Sequence, residues 1–155
     1  MKLVAFTGHR PDKLGGYKLP NPTYMHVCRE IEKALIQLKP DKIISGMALG
    51  VDQWAANIAL KLGIPFIAAV PFLGQEGKWP DSSKKIYKML LDKAAEIVIV
   101  SEGGYAAGKL QARNKWMVDH ADIVIAVYNG DATGGTANCV KYAKEHDKEM
   151  VYITP

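Results

Sequence analysis

The chain has 155 residues, 48% of them apolar and 23% charged, with a formal net charge of +4. That length suits one core-bearing domain, and no apolar run approaches the roughly 20 residues needed to span a bilayer. The charge excess suits anionic ligands but is too small to specify nucleic acid unless it is clustered. The two cysteines, Cys28 and Cys139, form no CxxC pair. They give neither a disulfide framework nor a zinc site, and a reducing cytoplasm is the expected location. The opening "MKLVAFTGHR" is too short in its apolar part for a signal peptide and reads as a first strand.

In chain order, "KLVAFT" (2–7) is a predicted strand. "TYMHVCREIEKALIQLK" (23–39) has apolar residues at helical spacing, with Thr23 as the expected N-cap. "DKIIS" (41–45) is a short strand, and "VDQWAANIALKLG" (51–63) a helix closed by Gly63. "IPFIAAVPF" (64–72) is a strand, "SSKKIYKMLLDKA" (82–94) a helix and "EIVIVS" (96–101) a strand. "KLQARNKWMVDHA" (109–121) is a helix, "DIVIAVY" (122–128) a strand, "GTANCVKYAKEHD" (135–147) a helix and "EMVYIT" (149–154) a sixth strand. The strands are continuous apolar runs, the pattern of strands covered on both faces. Their alternation with helices implies right-handed crossovers. The expected fold is α/β: a single Rossmann-like doubly wound domain over 1–155, with a mostly parallel sheet of about six strands flanked by helices.

Ligands of such sheets bind beyond the carboxyl ends of the strands. The segments found there are "TGHRP", "SGMALGVD", "PFLGQEGKWP", "SEGGYAAGK" and "NGDATGGT", and glycine is concentrated in them. In "SGMALGVDQWA" and "GDATGGTANC" a glycine-rich turn leads into a helix. Free N–H groups and the helix dipole there favour an anion, although either turn alone is equally well read as tight packing. Neither is a Walker A or GxGxxG sequence, and nothing points to a resident cofactor or a metal. The expected ligand contacts are Gly8, His9, Arg10, Gly46, Met47, Ala48, Gly50, Asp52, Asn114, Gly134, Gly135, Thr136 and Asn138, to which the family resemblance described below adds Arg113. Arg10 suits a phosphate or carboxylate, and His9 suits hydrogen bonding or acid–base work. The loop "GQEGKWPDS" reads either as a lid with Trp79 stacking on a base or as a solvated loop with Trp79 folded onto the core.

"TGHRP", "SGMALGVDQWAA" and "ARNKWMVDHADIVIAVYNGDATGGTANCVKYA" resemble the SLOG superfamily, most closely its YpsA-like and phage-borne members. Its relatives include the LOG-type phosphoribohydrolases and the Rossmann domain of the DNA-processing protein A. The resemblance covers nearly the whole chain. It implies a nucleotide-type ligand, with phosphate on the helix that begins near Gly134, Gly135 and Thr136. It also implies a homodimer or higher homo-oligomer, for which the helices of Trp54 and Trp116 are candidates. The LOG enzymes pair an arginine with a glutamate three residues after the threonine of their glycine motif. Arg113 matches the arginine, but Cys139 stands at the glutamate position. A missing carboxylate there removes the charge that would support an oxocarbenium-like transition state. The reading is therefore binding or sensing of a nucleotide-like small molecule. Two alternatives remain. One is N-glycosidic cleavage of a nucleoside monophosphate, with His9, Glu76 and Arg113 as catalytic candidates. The other is single-stranded DNA binding, which is not favoured because most lysines lie on solvent-facing helical positions.

Overall fold

Six strands alternate with five α-helices in the computed structural model, which describes residues 1–155. The strands are β1 (Leu3–Gly8), β2 (Lys42–Ser45), β3 (Phe66–Val70), β4 (Glu96–Ile99), β5 (Ile123–Val127) and β6 (Glu149–Ile153). The helices are α1 (Pro22–Leu38), α2 (Val51–Lys61), α3 (Asp81–Lys93), α4 (Lys109–His120) and α5 (Gly135–Glu145). All strands pair in parallel in the order β4-β3-β2-β1-β5-β6. The order reverses at β1: the chain winds outward through β2 to β4, then returns to lay β5 on the other side of β1. The alternation of two periods along the sequence thus produces the doubly wound α/β architecture it implied. No helix is long and apolar enough to cross a membrane.

The helices divide between the two faces. Val27, Ile31 and Leu35 of α1 pack with Trp54 of α2 and Leu90 of α3 in one cluster over Phe6, Ile43 and Phe66. Met117 and Val118 of α4 and Cys139 and Ala143 of α5 form a second cluster on Ala5, Ile44 and Val124. Removing a buried Leu or Ile side chain from such a core costs about 2–5 kcal/mol. Coverage on both faces holds for β1, β2, β3 and β5 but not for the edge strands. Three of the four residues of β4 are exposed, and β6 is only partly covered. An edge strand has one neighbour, and helices centred on the inner strands do not reach across it.

Local signals shift some boundaries. The cap of α1 is Asn21, not Thr23: its side chain accepts from Tyr24 N–H at 2.9 Å, and Pro22 fills the first helical position. Gly63, at φ 74°, follows α2 as expected. A short 3-10 turn over Pro11–Lys13, absent from the sequence reading, follows β1 and carries the chain over the carboxyl edge.

Candidate functional site

A cleft of about 340 Å³ opens at the carboxyl end of β1, where the strand order reverses between β1 and β5 and open α/β sheets hold ligands. Its first wall is the end of β1 and the following turn, with Gly8, His9, Arg10 and Lys13. Ala48 and Leu49 come from the β2–α2 connection and Asp52 from the first turn of α2. Gln111, Arg113 and Asn114 come from α4, and Thr133, Gly134, Gly135 and Thr136 from the entry to α5. Gly46, Met47, Gly50, Asn138 and Glu76 do not line it. The sequence reading did not single out Thr7, Asp12, Lys13, Leu49, Leu110, Gln111 and Thr133, which do. Following the chain two residues past "TGHRP" would have found Asp12 and Lys13.

Arg113 is 3% exposed and ties three elements together. Its Nη1 donates to Gly46 O and, at 3.2 Å, to Ala69 O, while Nε donates to Asn114 Oδ1 at 3.0 Å. One guanidinium thus pins α4 to the carboxyl ends of β2 and β3. Across from it, Asp52 Oδ2 accepts Ala48 N–H at 3.3 Å. Gly46 is the spacer between these charges. A Cβ there would lie 2.7 Å from Arg113 Cζ and Nη1 and 2.8 Å from Asp52 Oδ2. Burial pushes the Asp52 carboxyl up, against the pull of Arg113 and then Arg10. Burial likewise pulls the Arg113 guanidinium down, against the support of Asp52. In both groups desolvation outweighs the mutual attraction, as expected for charges withdrawn from water.

The two glycine-rich helix starts differ. At α2 the protein fills the space itself. A Cβ on Gly50, at φ 96°, would meet His9 O at 3.0 Å, and one on Gly8 would meet Val51 Cγ2 at 2.5 Å. Ser45 Oγ accepts Met47 N–H at 3.1 Å and donates to Asp52 O at 2.7 Å. Gln53 Nε2 donates to Met47 O at 3.2 Å. These bonds hold Met47 at φ 63° with its side chain fully buried. At α5 the space is open: neither Gly134, at φ 99°, nor Gly135 has anything within 4 Å of its Cβ position. No side chain caps α5. Its first ladder bond runs from Asn138 N–H to Gly134 O, and the Gly135, Thr136 and Ala137 N–H groups have no protein acceptor. Orphan N–H groups at a helix start favour an anion.

His9 is 5% exposed, and its Nε2 accepts the Asn129 N–H at 3.2 Å. A backbone N–H only donates, so the ring proton lies on Nδ1 in this contact. Cys139 is 4% exposed; burial raises its thiol, and a bond with the Thr7 side chain lowers it. Glu76 does not line the cleft that His9 lines, and its Oε1 is buried and unpaired. Gln75 beside it donates to Gly46 O at 3.3 Å. Trp79 packs edge-on against Tyr87 at 5.3 Å and joins the core rather than standing free over the cleft.

The chain is 34% identical over 147 residues to the SPbeta prophage-derived protein YoqJ of Bacillus subtilis, covering 82% of this chain and 85% of that one. It is 27% identical to a UPF0398 protein of Bacillus pumilus, covering 99% of this chain and 88% of that one. Among solved structures, DNA processing protein A of Streptococcus pneumoniae superposes at a TM-score of 0.73 with 20% identity over 99% of this chain, which spans 50% of that protein. The Helicobacter pylori protein of that name, described for its single-stranded DNA binding mode, gives 0.70 at 23% identity; the chain covers 66% of it. The molybdenum cofactor carrier protein of Chlamydomonas reinhardtii gives 0.61 at 16% identity, over 97% of this chain and 75% of that one. These likenesses establish the fold. The YspA SLOG family profile matches residues 4–155, so the chain belongs to that family.

Proposed function

We propose that the chain binds a small phosphorylated, nucleotide-type ligand, with its phosphate on the N-terminus of α5. The observation that carries this is the contrast between the two helix starts. Neither helix start has a side-chain cap, but the entry to α2 is closed by the chain's own atoms, while the entry to α5 presents its N–H groups beside open space. Arg10, Lys13 and Arg113 line the same cleft. Its volume of about 340 Å³ lies at the small end of the ~300–1,000 Å³ typical of ligand sites, which suits one mononucleotide. Holding rather than hydrolysing the ligand fits the absence of a carboxylate at Cys139 and the absence of Glu76 from the cleft lining. Among the fold neighbours, proteins named for carrying and binding the molybdenum cofactor also hold a small molecule.

Calorimetry with nucleoside mono-, di- and cyclic phosphates, ADP-ribose and the parent nucleosides tests the proposal. The expected result is saturable binding that depends on the phosphate. A ligand at 100 times its Kd would stabilise the fold by about 2.7 kcal/mol. Folded protein that binds none of these compounds refutes the reading. Binding only to a single-stranded oligonucleotide, with steep salt dependence, would replace it with the nucleic-acid reading. Release of free base beyond one equivalent would convert the binder into an N-glycosidase.

A further inference from the structure

The mouth of the cleft carries an ion pair that joins two of its walls. Lys13, in the 3-10 turn after β1, places Nζ 3.3 Å from Asp131 Oδ2, in the loop between β5 and α5. Lys13 lines the cleft, whereas Asp131 reaches in from outside it. The two partners are held very differently. Asp131 Oδ1 accepts from Thr133 N–H at 3.1 Å and from Thr133 Oγ1 at 3.0 Å. Asp131 N–H donates to Asn129 Oδ1 at 2.9 Å, and Tyr128 Oη donates to Asp131 O. The carboxylate is thus a fixed part of the loop that forms the α5 anion cradle. The ammonium sits on a flexible stem, and Asp131 is its one hydrogen-bond partner.

We propose that Lys13 reads the ligand's phosphate, and that Asp131 is a stand-in anion which the phosphate displaces. This rests on the reading of the α5 entry as a phosphate site. Both side chains are substantially exposed, at 44% and 38%, and exposed pairs of this kind are weakly held and screened by salt. A phosphate seated on the N–H groups of Gly135 and Thr136 would offer an ammonium several charge-assisted acceptors in place of one carboxylate oxygen. Exchange leaves Asp131 in place, because its other contacts do not involve Lys13. Asp131 therefore sets the ligand threshold: it keeps Lys13 occupied until a group of higher anionic charge arrives, and so favours phosphate over a neutral ligand.

The substitution that isolates this is Asp131→Asn. It keeps an oxygen for Thr133 and replaces the oxygen facing Lys13 with an amide N–H₂, which does not accept from an ammonium. Calorimetric titration with inorganic pyrophosphate and with adenosine 5′-monophosphate would be run on wild type, Asp131→Asn, Lys13→Met and the double variant, each shown to be folded by circular dichroism. Asp131→Asn is expected to tighten binding about two- to fivefold, and Lys13→Met to weaken it by a similar factor. The double variant is expected to bind like Lys13→Met; a double variant that binds more tightly than Lys13→Met would show direct repulsion between Asp131 and the phosphate and overturn the exchange. Unchanged or weaker binding by Asp131→Asn, in a protein whose wild type binds, overturns the exchange alone. No binding of either probe by wild type overturns both the exchange and the cleft reading beneath it.

Discussion

Gly46→Ala tests the architecture of the cleft floor. The added methyl would sit 2.7 Å from Arg113 Cζ and Nη1 and 2.8 Å from Asp52 Oδ2, closer than non-bonded carbon contacts allow. A long side chain on a surface would swing aside. Arg113 is 3% exposed and donates to two carbonyls at the ends of β2 and β3, so it has nowhere to swing. Overpacking alone costs about 1–3 kcal/mol. Displacing the guanidinium would also break bonds to a charged donor, worth about 1.5–3 kcal/mol each. A loss of about 3 kcal/mol or more follows. At roughly 2–4 °C per kcal/mol for a chain of this size, Tm falls by at least about 6 °C, read by differential scanning calorimetry. A Gly46→Ala protein melting within a degree of wild type would show that Arg113 is not fixed as described.

Gly8→Ala should also destabilise, by about 1–3 kcal/mol, because its Cβ would lie 2.5 Å from Val51 Cγ2. Combined with Val51→Ala the cost should be less than additive by about 0.5–3 kcal/mol; strict additivity in a urea-unfolding cycle would refute the contact. The Asp52 carboxyl is raised in the fold, chiefly by burial. The native state then holds its proton to higher pH than the unfolded chain, and wild type loses stability as pH climbs from about 3.8 through the raised value. Asp52→Asn cannot titrate, so it should match wild type near pH 3.5 and gain on it toward pH 7 in paired thermal melts. A variant that falls behind as pH rises would mean that attraction to Arg113 outweighs desolvation. Cys28 is pushed up to about 11, and Cys139 is also raised, both by burial. Reaction with a thiol-specific disulfide reagent at pH 7.5 should be slow in the native state and complete in denaturant; rapid native labelling would contradict those environments.

The fold was legible because the chain keeps two periodicities apart. Runs such as "DIVIAVY" become the fully buried inner strand β5, and helical spacing over 23–38 becomes α1 with Val27, Ile31 and Leu35 inward. What the sequence hid was tertiary. Whether a strand lies at an edge depends on the winding order, so the apolar run of β4 gave no sign that Ile97 and Ile99 would be half exposed. The rim was legible as a set of glycine-rich turns. Their division of labour was not, because it depends on what stands opposite each Cα. Gly46 and Gly50 make room for Arg113 and His9, while Gly134 and Gly135 face open space. Arg113 was found through a family resemblance; its carbonyl partners, Gly46 just after β2 and Ala69 in β3, are 67 and 44 residues away in sequence. Lys13 was missed because the rim segment was cut at Pro11, and its pairing with Asp131, 118 residues away, is visible only in the fold.

The central claim is that phosphate sits on the N-terminus of α5, and amide NMR of ¹⁵N-labelled protein titrated with adenosine 5′-monophosphate and inorganic pyrophosphate tests it most directly. The account predicts saturable shifts centred on the Gly134, Gly135 and Thr136 amides, with smaller changes at Arg10 and Lys13 and little at Gly46 or Gly50. Shifts centred on the start of α2, or no saturable shifts in folded protein, would contradict it.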